Sequence, residues 1–202
     1  MCSDVFCPGE ASLVIPLEPG EHGKKSIKNG IIDRGIDKDE YAIETYNSNN
    51  LGYGVKSDAL DFVRQIKKNN TKVISDFKKI NALAFGFPCN DYSLVGEQKG
   101  LQGKFGNLYK AGIGAINYSD PFWFVAENVS GIHSANSGKA FKNILKEFSE
   151  SGRHGYTLSV HLYKFEDYGV AQYRHRYLIV GIRKDQALKF NVPMPTHLNN
   201  HI

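Results

Sequence analysis

Two short runs constrain this chain more than anything else in it: residues 82–87 (ALAFGF) and 122–129 (FWFVAENV). Both are so rich in apolar residues that a strand made from either has no side to turn to water, and such strands sit inside a sheet covered on both faces. Sheets of that kind come from alternating strands and helices, and from residue 31 onward the sequence supplies the alternation. Residues 31–36 read as a strand ending at Asp37 and residues 40–47 as a helix. Ser57 reads as the N-cap of a helix through 58–68, and residues 73–75 as a short strand. Pro88 stops the run 82–87. After 122–129, Ser137 caps a helix in which Phe141, Ile144, Leu145 and Phe148 fall at i, i+3, i+4 and i+7, forming one apolar stripe. Residues 156–165 and 177–183 close the set of strands. The expected fold is α/β around a mostly parallel central sheet, in one domain over residues 31–185. Residues 8–30, rich in Pro, Gly and charge, show no period, and 186–202 read as a frayed tail.

Composition narrows the partners. Hydrophobic residues make up 41 % and charged residues 23 %, enough to bury a core. No run of 18 apolar residues and no charged start before an apolar segment is present, so neither a membrane span nor a signal peptide is expected. Cys2, Cys7 and Cys89 form no CxxC pair and no Cys/His ligand spacing, which excludes a disulfide framework and a zinc site and points to a reducing interior. No metal is expected. The net charge of +4 arises entirely from residues 151–202, with seven basic and three acidic side chains. That excess suits a phosphate-bearing partner, or else is ordinary solvated surface.

In open α/β sheets ligands bind beyond the carboxyl ends of the strands. Asp37, Asp76, Pro88-Cys89 and Glu127-Asn128 all fall at or just after such ends and should share one rim. Pro88 cannot continue a central ladder, so the chain turns out there and presents Cys89 either as a small hydrophobe or as a nucleophile. Glu127 follows five apolar residues. It is therefore an acid at a strand exit, or a buried one whose raised pKa lets it give up a proton near neutrality. Gln172, Arg174 and Arg176 alternate toward one face, as an exposed basic edge or as guanidinium forks for phosphate or a base carbonyl.

Taken in order, these elements resemble the DNA (cytosine-5)-methyltransferases. The likeness rests on residues 86–109 (GFPCNDYSLVGEQKGLQGKFGNLY), on Glu127-Asn128-Val129 placed 38 residues beyond Cys89, and on Tyr168-Gly169-Val170 leading into Gln172, Arg174 and Arg176. The resemblance implies the catalytic part of a Rossmann-like class I methyltransferase that uses S-adenosylmethionine and lacks the target-recognition domain. By position, Cys89 resembles the nucleophile that attacks C6 of cytosine. Glu127 resembles the carboxyl group at N3 and the exocyclic amine, and Arg176 the group that holds O2. Pro88, Asn128, Gln172 and Arg174 would support the substrate. Phe6, Asp37, Asp76, Phe77 and Leu108 match cofactor-facing positions. The implied substrate is a cytosine flipped out of double-stranded DNA. The implied setting is a restriction–modification system of bacterial type, working in the cytoplasm at the nucleoid.

Three departures accompany the likeness. Asp4-Val5-Phe6 is followed by Cys7-Pro8-Gly9-Glu10-Ala11 where a glycine-rich turn is expected, and Phe6 precedes Asp37 by 31 residues. Phe105 stands where many members have arginine. Only about 17 residues follow Asp185, too few for the family's recognition region and closing segment. That leaves open a split enzyme whose second subunit carries the recognition region or, equally, a truncated gene product. A methyltransferase-fold remnant acting as an interaction or DNA-binding module is the alternative reading. A transfer-RNA enzyme ranks lower, because the Cys-Phe-Thr tripeptide of those relatives is absent.

Overall fold

The two apolar runs become neighbouring strands paired in parallel, β4 (Ala82–Gly86) and β5 (Trp123–Val129). A computed structural model describes residues 12–16, 32–49, 53–68, 80–87, 109–133 and 138–197 of the 202-residue chain. Around the central pair it places β1 (Ser12–Pro16), β2 (Ile32–Asp37), β3 (Tyr53–Lys56), β6 (Tyr156–Lys164) and β7 (His175–Arg183) in a sheet of order β3-β2-β1-β4-β5-β7-β6. The described helices are α1 (Glu40–Asn49), α2 (Ala59–Lys67), α3 (Tyr109–Ser119) and α4 (Lys139–Glu150).

The α/β architecture is the one the alternation predicts, and five of the seven described strands point the same way. The pairing is more mixed than a mostly parallel sheet suggests, because β1 and β7 both run against their neighbours. β1 lies within the stretch 8–30 that shows no sequence period. Four or five paired residues are too few to establish one. The carboxyl ends of β2, β4 and β5 still meet along one edge. Ile36, Leu13, Phe85, Ala126 and Ile179 stand in register across five strands. Asp37 and Glu127 each lie one residue further toward that edge, three strand spacings or about 14 Å apart.

The core fills one face. Phe124, Ala126 and Asn128 of β5 are buried, whereas Trp123 is 41 % exposed and Val125, Glu127 and Val129 are half-buried. The run 122–129 is thus dry on one side only, because its other side walls a cavity at the rim. α2, α3 and α4 cover the dry face, and the ring of Phe148 packs against Phe85, Phe124 and Phe87 at 5.7, 5.5 and 6.2 Å between centroids. A Cβ on Gly112 of α3 would run into the Phe85 ring, so this helix approaches β4 only because it carries glycine there. α1 sits on the opposite face, with Tyr46 over Gly35.

Local details differ from expectation in readable ways. The cap of α2 is Asp58, whose carboxylate accepts from the amides of Leu60 (2.9 Å) and Asp61 (3.1 Å); Ser57 instead donates to the Asp58 carbonyl. α4 begins after Gly138 in a left-handed conformation (φ 75°) without a side-chain cap, and Ser137 lies outside the described residues. The strand expected at 73–75 lies outside them too. The tail is not frayed as far as His197. Ser159 donates to the Phe190 carbonyl (2.8 Å), Tyr168 to that of Pro193 (3.0 Å), and the amides of Thr196 and His197 to that of Asp167 (3.0 and 2.8 Å). No described helix is long and apolar enough to cross a membrane.

Candidate active site

Glu127 and Arg176 meet because β5 and β7 pair antiparallel with Glu127 opposite Leu178, which brings residue 176 to the carboxyl end of β5. Arg176 Nε lies 2.8 Å from Glu127 Oε1, with the two side chains 21 % and 16 % exposed. Burial raises the Glu127 pKa; the positive charges of Arg176 and Arg174 and the Arg176 hydrogen bond oppose it without cancelling it. The net direction is up, so the carboxyl group gives up its proton less readily than an ordinary one despite its guanidinium neighbour. Arg176 Nη1 also donates to the His175 carbonyl at 2.9 Å, which fixes the guanidinium at two points.

Beside this pair lies a cavity of about 280 Å³. Glu127, Arg174 and Arg176 supply its polar wall, with Ala84, Phe85, Val125, Phe165 and Leu178 as the apolar remainder. An acid and two guanidinium groups against hydrocarbon suit a small planar ligand with both donors and acceptors on its edge.

Asn128 points the other way. It is 1 % exposed, its Nδ2 donates to the Phe87 carbonyl at 2.9 Å, and its Oδ1 accepts from the Val129 amide at 2.8 Å. Its side chain is therefore committed to backbone, and it fixes where the chain leaves β4. Gln172 is exposed and does not line the cavity, although Arg174 and Arg176 do. Asp37 is 6 % exposed at the end of β2, where its Oδ1 accepts from the Asp39 amide (2.8 Å) and its carbonyl from the Ser57 amide (2.8 Å). Phe6, Asp76, Phe77, Pro88, Cys89 and Leu108 lie outside the described residues. No group of three or more His, Cys, Asp or Glu among the described residues could hold a metal ion.

Sequence reasoning missed Phe165, Glu166 and His175. Phe165 lines the cavity, and its amide donates to the Arg174 carbonyl at 3.0 Å. Glu166 lies 2.5 Å from the His175 ring. The clue available was the β6–β7 hairpin, which returns residues 165 and 166 beside 174 and 175.

The fold resembles that of a prophage-encoded E. coli protein described as a DNA modification methyltransferase, with a TM-score of 0.59 at 23 % identity over 82 % of this chain and 44 % of that one. At that identity the likeness defines the fold alone: an α/β, Rossmann-like architecture. Type II methyltransferase M.BbvI of Brevibacillus brevis is 50 % identical over 162 residues, 80 % of this chain and 42 % of that protein. Type II methyltransferase M.NgoFVII of Neisseria gonorrhoeae is 37 % identical over 161 residues, 80 % of this chain and 40 % of that protein. The chain thus spans about two fifths of these curated relatives. A family model for C-5 cytosine-specific DNA methylases matches residues 21–201, and the chain belongs to that family.

Proposed function

We propose that this chain is the catalytic part of a restriction–modification DNA methyltransferase that methylates C5 of cytosine through a covalent adduct on Cys89. The observation that carries the reading is the Glu127–Arg176 pair at the rim of the cavity, with Arg174 on the same wall. Gly86 stands opposite Glu127 in the β4–β5 ladder, and Asn128 holds the Phe87 carbonyl. Cys89 follows Phe87 by two residues in the sequence.

Each group has a chemical task. C5 of cytosine is a poor nucleophile until a thiolate adds at C6. As the Sγ–C6 bond forms, the ring's electrons move toward N3, and a carboxyl group whose pKa is raised above the ordinary value donates a proton there. Glu127 fills that role, and Arg176 orients the ring by donating to O2. S-adenosylmethionine, when bound, supplies the methyl group that C5 takes. A base then removes the C5 proton, the Sγ–C6 bond breaks and the thiolate departs as the 5,6 double bond re-forms, and the N3 proton returns to Glu127. Asp37 is the described residue suited to the cofactor, as a largely buried carboxylate at the carboxyl edge where it can accept from ribose hydroxyls. The reaction requires the cytosine to leave the helix stack. Target choice falls to a recognition region, on a second subunit or elsewhere, and the natural setting is the bacterial cytoplasm.

The test is transfer of tritiated methyl from S-adenosylmethionine to duplex DNA rich in cytosine sequence contexts. Label recovered as 5-methylcytosine, and abolished by Cys89→Ala, supports the reading. Incorporation that survives Cys89→Ala contradicts it.

A further inference from the structure

We infer that Glu166 is a positioning residue for Arg176 and, through it, for Glu127; the inference rests on the catalytic reading just given. β7 begins at His175, and Arg174 and Arg176 flank that first residue, where a strand end would otherwise fray. Glu166, in the 3-10 turn Phe165–Tyr168, holds this end from outside the ladder. Its Oε1 lies 2.5 Å from His175 Nε2, and its Oε2 accepts from the Arg174 amide at 3.4 Å. The Phe165 amide returns a bond to the Arg174 carbonyl at 3.0 Å. Arg176 in turn donates to the carbonyl of His175, the residue whose ring Glu166 grips, and reaches Glu127 at 2.8 Å.

The contacts form one continuous chain: Glu166 to the His175 ring, the His175 carbonyl to Arg176, Arg176 to Glu127. Glu166 is 17 % exposed and its carboxyl pKa is lowered. Burial alone would raise it, but its own backbone amide, His175 and the Arg174 amide outweigh burial. The carboxylate is thus ionised at neutral pH and is a strong acceptor. Glu166 and His175 do not themselves line the cavity; their effect is to fix the guanidinium's aim.

Two substitutions separate aim from bulk. Glu166→Leu removes both acceptor oxygens, whereas Glu166→Gln keeps one and preserves shape. The first readout needs no turnover: the ¹⁵N-resolved Nε–H resonance of Arg176 in the full chain. The expected result is a sharp, slowly exchanging signal in the parent and in Glu166→Gln, and its loss in Glu166→Leu. His175→Leu, cutting the same contact from its other end, should repeat that loss. An unchanged resonance in both leucine variants overturns the inference. The second readout is methyl transfer, where Glu166→Leu should lower kcat by about 100-fold at unchanged KM for DNA, the scale expected when a reacting group is misplaced by about 1 Å. Recovery of most of that loss by Glu166→Gln supports the inference, and parent-like kcat in Glu166→Leu contradicts it. If the resonance responds while the parent transfers no methyl group, the positioning stands and the catalytic reading fails.

Discussion

Glu127 concentrates the account in one carboxyl group, and its raised pKa has a sign that solution measurements can check. A native pKa above the ordinary 4.5 means the folded state binds the proton more tightly than the unfolded state. That contribution is complete below 4.5 and is lost as pH rises through the higher native value. Glu127→Gln does not titrate, so its stability relative to the parent should increase from pH 4 to pH 7. Urea midpoints across that window test this, and a flat or falling difference contradicts it. In methyl transfer the same substitution should lower kcat by about 10²–10⁴-fold, the range of a lost proton donor. Arg176→Leu leaves the acid without its closest positive partner. A pair about four-fifths buried falls between surface and interior cases, so the expected loss is about 1–3 kcal/mol in denaturant unfolding. Glu127 and Arg176 were readable as candidates because their residue types recur at fixed places beside apolar strands. Their contact was not, since it follows from antiparallel pairing between strands some 50 residues apart, which no local pattern encodes.

Elements differed in legibility for physical reasons. The stripe of α4 was plain: Phe141, Ile144 and Phe148 are buried while lysines and glutamates lie outside. α3 was invisible because almost all of it is covered. Ala111, Gly112, Gly114, Ala115 and Ile116 are all buried, so no polar face marks a period. β3 and β1 are too short to show alternation. The packing these elements share yields two predictions. Phe148→Ala should lower stability by about 3–5 kcal/mol, the usual loss for a fully buried ring, because it faces Phe85, Phe87, Phe124 and Tyr109. Asp58→Ala should lower it by about 1 kcal/mol through loss of the α2 cap. Equilibrium urea unfolding of both variants measures the contrast, and comparable effects would mean the sheet–helix core is misplaced.

For the molecule as a whole, the basic excess of residues 151–202 divides into two roles. Arg176 is engaged with Glu127, and Arg183 with Asp120 and Asp185 at the opposite edge of the sheet, where it holds the Asp185 carboxyl down at about 2. Net charge alone therefore overstates the surface offered to phosphates, and composition could not have revealed which arginines are paired. What the sequence did convey was the α/β class, an edge shared by Asp37 and Glu127 and, through its ordered motifs, the family; what it could not convey was the reversed β1 in the middle of the sheet. The central claim is that Cys89 attacks a cytosine held by Glu127 and Arg176. It is tested most directly with duplex DNA containing 5-fluorocytosine and S-adenosylmethionine, because fluorine at C5 blocks the proton loss that would release the enzyme. The account predicts a denaturant-resistant protein–DNA adduct whose cross-linked peptide contains Cys89, absent in Cys89→Ala and much slower to form in Glu127→Gln. An adduct mapped to another residue, or no adduct from DNA that the chain does methylate, would contradict it.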